Sequence, residues 1–329
     1  MLTKPSDPTT MIGALKNIHF SAEPSVTHAW CRRFATVLGA DNDLIGDIVN
    51  LTDRLADGRR QRQAYRRPVQ KQFLLVTPVG DVLLSKDDPL SQQFFSVLMP
   101  DGRLHEPGLV AFLCRILNKS SVFIDIGAHS GYFACIAGVA GASVVTMEFQ
   151  QPLNRVIERN LALNGITRAR VLDIAASDRD GVTVVPSYNV RFGAKLYTEQ
   201  VGFKPHLVPA YGPNSQIVPT MRLDTLFADL DAPPTCIKID AEGFELRILR
   251  GAERLIAACR TTFIVEFHAA HVSQFGNDVS ELDTIFPETA WRVIHLQDRG
   301  MTELDRDDLR RLIASQDGTE NPHLIFRPR

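Results

Sequence analysis

From Ser121 onward, short apolar runs rich in β-branched and aromatic residues alternate with longer stretches of helical periodicity. The runs predict seven strands: Val122–Ile126, Val144–Phe149, Arg170–Ile174, Cys236–Asp240, Phe263–Phe267, Trp291–Leu296 and His323–Phe326. The helical stretches predict helices over Ser130–Val139, Leu153–Leu163, Phe244–Ala258 and about Val279–Ile285. This alternation indicates an α/β fold, a doubly wound and mainly parallel sheet with helices on both faces. The last two strands follow one another directly, which predicts an antiparallel pair at the C-terminal edge.

The chain before this region has a different character. Residues 1–70 are predicted to form a helical N-terminal extension, because the stretch from Thr27 to Leu55 carries apolar residues at helical spacing. Residues 71–329 are predicted to form the main domain, and "QFLLVTPVGDVLLS" places a β-hairpin in its leading region, 71–105. Residues 181–219 carry prolines, glycines and aromatic residues without a period, which is typical of an insertion or lid.

Composition narrows the class of protein. The chain has 329 residues, 44% of them hydrophobic, and a net charge of -2, so nothing in the overall charge attracts nucleic acid. Five scattered cysteines without metal-type spacing predict reduced thiols. No apolar run reaches the ~18 residues of a membrane span, and no secretory leader is seen, so we expect a cytoplasmic protein. The basic run at 59–71 is either a solvated helix face or a patch for an anionic partner.

A glycine loop follows the first predicted strand, in "VFIDIGAHSGYF". A strand, a tight turn and a helix N-terminus form a ligand site, here lined by Gly127, Ala128, His129, Ser130 and Gly131. A dinucleotide site needs GxGxxG, and the side chain of His129 would crowd a pyrophosphate at the middle position.

An acid that ends the next strand completes this predicted ligand site. Glu148 is placed to accept both hydroxyls of a ribose. A ribose without a pyrophosphate indicates S-adenosylmethionine, whose ammonium Asp125 would face and whose adenine amino group Asp173 would meet. Asp125 as a loop-stabilising acid, and Glu148 as a solvated strand end, remain the alternatives.

Five segments in order resemble the FkbM-type S-adenosylmethionine-dependent methyltransferases: "FIDIGAHSGYF", "MEFQQPLNRVIERNLALNG", "RLDTL", "CIKIDAEGFELRILRGAERLI" and "FIVEFH". The resemblance implies a class I methyltransferase (Rossmann-like) sheet and O-methylation of a hydroxyl on a sugar or glycan, a lipid or a secondary metabolite. Two features depart from the family pattern. Glu148 is followed by Phe149 rather than by proline, and the N-terminal extension is not part of the common core.

The chemistry is predicted at the carboxyl ends of the fourth and fifth strands, beside the glycine loop. Asp240 and Glu242 follow the fourth strand, and Glu266 and His268 end the fifth. A neutral hydroxyl is a poor nucleophile, so a base must take its proton during attack. We expect Asp240 or His268 to be that base, with Glu242 and Glu266 orienting the acceptor or the cofactor.

Two nearby charged residues have a structural interpretation. Lys238 is expected to be an ion-pair partner of Glu266 or Asp240, and Glu245 to be a first-turn helix acid. The four groups predicted to be catalytic also allow a second hypothesis, in which they hold a hard divalent metal.

Three functional hypotheses, the first two of them enzymes, remain open on the sequence. The first is an enzyme, a methyltransferase that acts on a small-molecule or glycan acceptor. The second is a methyltransferase of RNA or another macromolecule, although a nucleic-acid partner is not expected, since few basic residues are available near the site. The third is a non-catalytic protein that keeps a degenerate fold and binds a partner. An oligomer formed through the N-terminal extension also stays open.

Overall fold

The computed structural model describes residues 72–86, 91–92, 99, 104–186, 215–228, 232–272, 278–298, 300–315 and 321–329. The predicted helical extension (1–70) and the basic run lie outside these residues, so both stay predictions. Among the described residues no helix has the length and apolar character of a membrane span. The described cysteines, which do not include Cys31, are free thiols.

A mixed sheet of eight strands forms the centre of the fold. In chain order its strands are β3 (Val122–Ile126), β4 (Ser143–Met147), β5 (Ala169–Leu172), β9 (Cys236–Ile239), β10 (Thr262–Glu266), β11 (Trp291–Gln297), β12 (Gly300–Leu304) and β13 (His323–Pro328). Their spatial order is β12-β11-β13-β10-β9-β3-β4-β5. The five strands from β5 to β10 are parallel, and β13 and β11 form the expected antiparallel pair. The doubly wound fold is therefore confirmed.

The sheet has one strand more than the seven predicted. The additional strand, β12, pairs with β11 from Gln297 opposite Gly300 to Val293 opposite Leu304. Its sequence, "GMTEL", is largely exposed at the sheet edge. Because an exposed edge strand buries no apolar face, it carries little of the alternation from which strands are predicted.

Helices cover both faces of the sheet, as the alternation predicts. One face packs against α1 (Pro107–Ile116), α2 (Tyr132–Val139) and α3 (Gln151–Leu163). The other packs against α4 (Leu223–Leu226), α5 (Glu245–Arg250), α6 (Glu253–Ala257), α8 (Glu281–Ile285) and α9 (Arg306–Ala314). A short helix, α7 (Ala269–Val272), follows β10. Adjacent residues of a strand point to opposite faces, so Phe123 joins the first core and Ile124 the second.

The predicted hairpin consists of β1 (Gln72–Thr77) and β2 (Gly80–Ser85), a two-stranded sheet of its own. Asn160 of α3 and Asn164, which caps the end of that helix, bind its second strand. Asn164 Oδ1 accepts from the Leu83 N–H at 2.7 Å, and Asn164 Nδ2 donates to the Leu83 carbonyl at 2.7 Å. Asn160 Oδ1 accepts from the Ser85 N–H at 2.8 Å. The asparagine side chains thus satisfy backbone groups of β2.

A second small sheet lies where the insertion was predicted. It contains β6 (Ala175–Ala176), β7 (Gly181–Pro186) and β8 (Ser215–Met221) in the order β6-β8-β7. The two ends of the predicted insertion are therefore strands, paired antiparallel with Pro186 opposite Ser215. Residues 187–214, which join them, lie outside the described residues, so the lid remains a prediction.

The helix predicted over Phe244–Ala258 is divided into α5 and α6. Gly251 ends α5, and a Cβ added to it would lie 2.1 Å from the Ser177 carbonyl oxygen. The chain thus passes against the backbone that follows β6, an approach that only glycine permits. Because the two segments are distant in sequence, their contact produces no periodic pattern from which the division of the helix could be predicted.

Candidate active site

The predicted glycine loop forms a tight turn between β3 and α2. Gly127 has φ 73°, and a Cβ at this position would lie 1.8 Å from the Asp240 carbonyl oxygen. Gly131 has φ 75°, and its Cβ would lie 3.2 Å from Ile157 Cγ2 on α3. The first glycine therefore lets the end of β3 touch the end of β9, and the second lets the loop close against α3.

Register brings the predicted site residues into one row at the carboxyl ends of the strands. Met147, Ile126, Ile239 and Val265 lie side by side across four strands, and Leu172 pairs with Met147. The residues next in sequence form the row above them: Asp173, Glu148, Gly127, Asp240 and Glu266, with His323 paired to Glu266. The predicted cofactor and catalytic groups are thus neighbours.

Glu148 is buried, with 4% of its surface exposed, and it supports the glycine loop. Its Oε2 accepts from the His129 N–H at 3.1 Å and its Oε1 from the Gln150 N–H at 2.9 Å. Burial raises the pKa of Glu148 to about 7, although the two amide hydrogen bonds act to lower it. Each carboxylate oxygen has two lone pairs, so each retains acceptor capacity for a ligand hydroxyl.

Asp173 stands at the exposed end of the row. Its Oδ1 accepts from Asn154 Nδ2 at 3.2 Å, and the same Nδ2 donates to the Glu148 carbonyl at 2.8 Å. Asn154 therefore fixes Asp173 beside Glu148, where a ligand held by Glu148 would be within its reach.

Asp125 lies beneath this row with 1% of its surface exposed. No side chain among the described residues donates a hydrogen bond to its carboxylate oxygens. Its partner in the sheet register is Lys238 of β9, which is equally buried. Burial raises the pKa of Asp125 to about 6, while the charge of Lys238 and the backbone N–H of Ala134 act to lower it. A buried carboxylate with acceptor capacity to spare can accept hydrogen bonds from a ligand cation.

The four residues predicted to be catalytic lie together around the imidazole of His268. His268 Nε2 is 3.5 Å from a Glu242 oxygen, 3.7 Å from Glu266 and 3.9 Å from Asp240. The other ring nitrogen, Nδ1, is 2.8 Å from Glu245 Oε1. This acid–histidine cluster occupies the carboxyl ends of β9 and β10.

The members of the acid–histidine cluster differ in the direction and size of their pKa shifts. Burial acts to lower the pKa of His268, but the hydrogen bond to Glu245 and the surrounding carboxylates raise it to about 10. Burial raises the pKa of Glu242 to about 6 and that of Glu266 to about 8. Burial would also raise the pKa of Asp240, yet Lys238 and His268 lower it overall. Asp240 is therefore the member held most firmly as a carboxylate.

Lys238 provides the second cation of the site. Its Nζ lies 3.1 Å from Asp240 Oδ2 and 5.0 Å from the centre of the Phe133 ring. Lys238 is an ion-pair partner of Asp240, one of the two residues expected for it. A fully buried ammonium needs such a partner to remain charged.

Sequence reasoning missed two members of the site, Glu106 and His323. Glu106 precedes α1 with φ 48°, and its oxygens lie 2.8 Å from His105 Nε2 and 2.8 Å from His323 Nε2. His323 Nε2 is also 3.7 Å from Glu266. These residues come from segments far from the glycine loop, and the only signal in the sequence was the position of His323 at the start of a strand.

Within the described part of the chain, two groups of three residues could hold a metal ion. They are Asp240, Glu266 and His268, and Glu106, Glu266 and His323; within each group the ligand atoms lie within 4.8 Å of one another. Ion pairs within the protein already join the members of each group, so the geometry is compatible with a metal but does not require one.

A family model described as the methyltransferase FkbM domain matches residues 125–293. The match covers just over half of the 329 residues. The chain belongs to the FkbM methyltransferase family. The resemblance found in the sequence is thus confirmed, and the acid–histidine cluster lies inside the FkbM segment. The missed residues Glu106 and His323 lie outside it, on either side.

Individual relatives of this FkbM chain are distant. Hexuronic acid methyltransferase AglP of Haloferax volcanii is 25% identical over 171 residues, which are 50% of this chain and 63% of the relative. The match thus spans less than two thirds of that relative's length.

Solved structures resemble the chain only loosely. A methyltransferase FkbM from Methylobacillus flagellatus KT is 19% identical, with 64% of this chain and 44% of that chain covered and a TM-score of 0.40. An rRNA methylase from Streptococcus thermophilus is 10% identical, with 67% and 93% covered and a TM-score of 0.38. TM-scores this low carry no argument about the fold, so we assign the fold from the strand order of this chain.

Proposed function

We propose that this protein is an S-adenosylmethionine-dependent O-methyltransferase that acts on a hydroxyl of a sugar or glycan. The observation that carries the proposal is the contact between the glycine loop and the acid–histidine cluster. Gly127 of the loop lies directly against the backbone of Asp240. Ligands of open α/β sheets bind at this edge. A cofactor held by the loop would therefore lie beside groups able to accept a proton.

The residues of the loop fit S-adenosylmethionine. Asp125 offers a buried carboxylate, to which no described side chain donates a hydrogen bond, to a cationic ligand. The turn from Gly127 through Ala128, His129 and Ser130 to Gly131 offers a close backbone approach, and Glu148 and Asp173 offer acceptors to the ribose and the adenine. When bound, the cofactor supplies an electrophilic methyl group.

Asp240 is the proposed proton acceptor. An alcohol oxygen becomes strongly acidic only as its new bond to carbon forms, so a carboxylate of low pKa can take the proton at that stage. Asp240 is ionised at neutral pH and 28% of its side chain is exposed, whereas His268 is held in its protonated form. Glu242 and Glu266 would orient the acceptor.

A sugar acceptor is supported by the family and by the hexuronic acid methyltransferase among its relatives. Two acids of the acid–histidine cluster, Asp240 and Glu242, have 28% and 47% of their side chains exposed and would repel the phosphates of RNA. A sugar presents hydroxyl donors that such carboxylates can accept.

The test is turnover with S-adenosylmethionine and a panel of neutral, amino and hexuronic acid glycosides, followed by mass spectrometry of the methylated product. Asp240→Asn should lower kcat by about 10²–10⁴-fold at saturating cofactor. Glu303→Gln, which changes an exposed acid on β12, serves as the control and should match wild type. An Asp240→Asn variant with normal turnover would remove Asp240 as the base. Loss of activity with a chelator, restored by Mg²⁺, would show that the acid–histidine cluster works through a metal.

A further inference from the structure

Glu245 opens α5 and is completely buried, although it is an acid in a first helical turn. Its Oε1 accepts from the Gly243 N–H at 2.9 Å and from the Ala241 N–H at 3.3 Å. The same oxygen lies 2.8 Å from His268 Nδ1. An ordinary first-turn acid is solvated and interacts with the helix dipole, so the burial of Glu245 needs another explanation.

The contact fixes how His268 carries its protons. Glu245 Oε1 already accepts from two backbone N–H groups, so in its contact with Nδ1 the hydrogen lies on the imidazole nitrogen. The ring then turns its other nitrogen, Nε2, toward the site.

Groups from every neighbouring element face the His268 ring. Glu245 meets Nδ1 from α5, whereas Nε2 faces Asp240 after β9, Glu242 in the next turn and Glu266 at the end of β10. The ring of His271, from α7, stacks on it with centroids 5.8 Å apart and an interplanar angle of 6°.

Glu245 also shapes the turn that presents Glu242. Glu242 has φ 51°, a left-handed conformation that is unfavourable for a residue with a Cβ. Both N–H groups that donate to Glu245, those of Ala241 and Gly243, flank this residue. One carboxylate therefore holds the strained turn and the imidazole together.

We infer that Glu245 is a positioning residue: it accepts the Nδ1 hydrogen of His268 and fixes the ring so that Nε2 faces the carboxylates of the site. Its role rests on the proposed function, because His268 stands beside the proposed base. With the ring fixed, Nε2 stays 3.5 Å from Glu242, 3.7 Å from Glu266 and 3.9 Å from Asp240, so Glu245 sets the geometry in which these acids meet an acceptor.

Glu245→Gln separates the charge of Glu245 from its position. The glutamine Oε1 can accept the same three hydrogen bonds, and its amide nitrogen replaces Oε2, which has no hydrogen-bond partner among the described residues. The matched control is Glu253→Gln, which changes the first residue of α6, an exposed acid. Glu245→Leu removes every hydrogen bond and reports on position.

The first readout is the ring hydrogen of His268, followed by nitrogen-15 NMR in the full chain without any acceptor. Wild type and Glu253→Gln should show a hydrogen on Nδ1 that exchanges slowly with solvent, and Glu245→Gln should keep it, because the amide oxygen still accepts. Glu245→Leu should lose this slow exchange. A wild-type ring without a protected hydrogen on Nδ1, or one that Glu245→Leu leaves protected, would overturn the inference.

Turnover provides a second readout once an acceptor is found. Glu245→Leu should lower kcat by about 10²-fold, because small displacements of active-site groups are costly, while Glu245→Gln should retain most of the activity with an unchanged KM. Equal losses of kcat in both variants would contradict the positioning role. If wild type binds no S-adenosylmethionine, the proposed function fails, whereas NMR of the Nδ1 hydrogen still decides the inference.

Discussion

At the scale of single residues, the proposed cofactor site is distinguished by two buried acids. Asp125 and Glu148 are acids with 1% and 4% of their surfaces exposed, and burial raises the pKa values of both, to about 6 and about 7. Both groups therefore change charge near neutral pH, whereas ordinary carboxyls are ionised well below it. A cationic cofactor with a ribose would bind best when both are ionised.

The affinity for S-adenosylmethionine should consequently rise with pH between about 5 and 8. The raised pKa values mean that both acids are protonated at the low end of this range and ionised at the high end, where they accept hydrogen bonds fully. Calorimetry across this range measures the effect. Glu148→Gln, which cannot ionise, should flatten the upper part of the curve. An affinity independent of pH in wild type would contradict the assignment of these two acids.

Gly127 gives a second prediction at this scale. Gly127→Ala places a Cβ against the Asp240 carbonyl in a left-handed conformation, so the free energy of unfolding should fall by roughly 3–5 kcal/mol from strain and overpacking. Gly165 has φ 63° with no atom near the added Cβ, and Gly165→Ala should cost only about 1–2 kcal/mol. Chemical denaturation compares the two. Equal losses would show that the contact with Asp240 is unimportant.

At the scale of elements, the sequence predicted those that carry their own hydrophobic period. The parallel strands are short, mainly apolar runs, α2 is apolar throughout and α3 keeps a helical period. The division of α5 from α6 was missed because it depends on the contact of Gly251 with the Ser177 backbone. Strand β12 was missed because it lies exposed at an edge.

The same reasoning explains what could be predicted of the site. Asp240, Glu242, Glu266 and His268 follow strands that could be recognised, so their meeting at one sheet edge was predictable. The roles of Glu106 and Glu245 depend on how separate segments pack, since Glu106 reaches His323 and Glu245 turns back toward His268. Neither spacing nor composition contains that information.

Asn160 of α3 binds the backbone of two other segments, β2 and the glycine loop. Its Oδ1 accepts from the Ser85 N–H of β2, and its Nδ2 donates at 2.8 Å to the Ser130 carbonyl in the glycine loop. Asn160→Ala would leave two buried backbone groups without partners, each costing about 1–3 kcal/mol. Denaturation should therefore show a loss of about 2–6 kcal/mol. Asn118→Ala, in an exposed turn, is the control, and an equally small effect in both would contradict this link.

At the scale of the whole molecule, the sheet separates two halves of the proposed function. The proposed cofactor residues lie at the ends of β3, β4 and β5, and the acid–histidine cluster lies at the ends of β9 and β10. Strands β7 and β8 enter and leave the predicted lid, and their last paired residues, Pro186 and Ser215, stand opposite one another. A short turn could therefore join these strands.

Deleting residues 188–211 tests whether the predicted lid serves the acceptor. The remaining four residues can close the β7–β8 hairpin, so the described fold should survive. We expect turnover to be lost while S-adenosylmethionine affinity stays within a few-fold of wild type. Circular dichroism provides the folding control. A folded deletion variant that no longer binds the cofactor would show that the segment belongs to the cofactor site instead.

The most direct measurement of the central claim is a calorimetric titration of the full chain with S-adenosylmethionine, in wild type and in Glu148→Ala. The proposed function predicts saturable one-to-one binding to wild type. In Glu148→Ala the loss of a charged acceptor should weaken binding by ~1.5–3 kcal/mol, which is roughly 10–150-fold in Kd. Absence of binding in folded wild type would contradict the account, as would a Glu148→Ala variant with wild-type affinity.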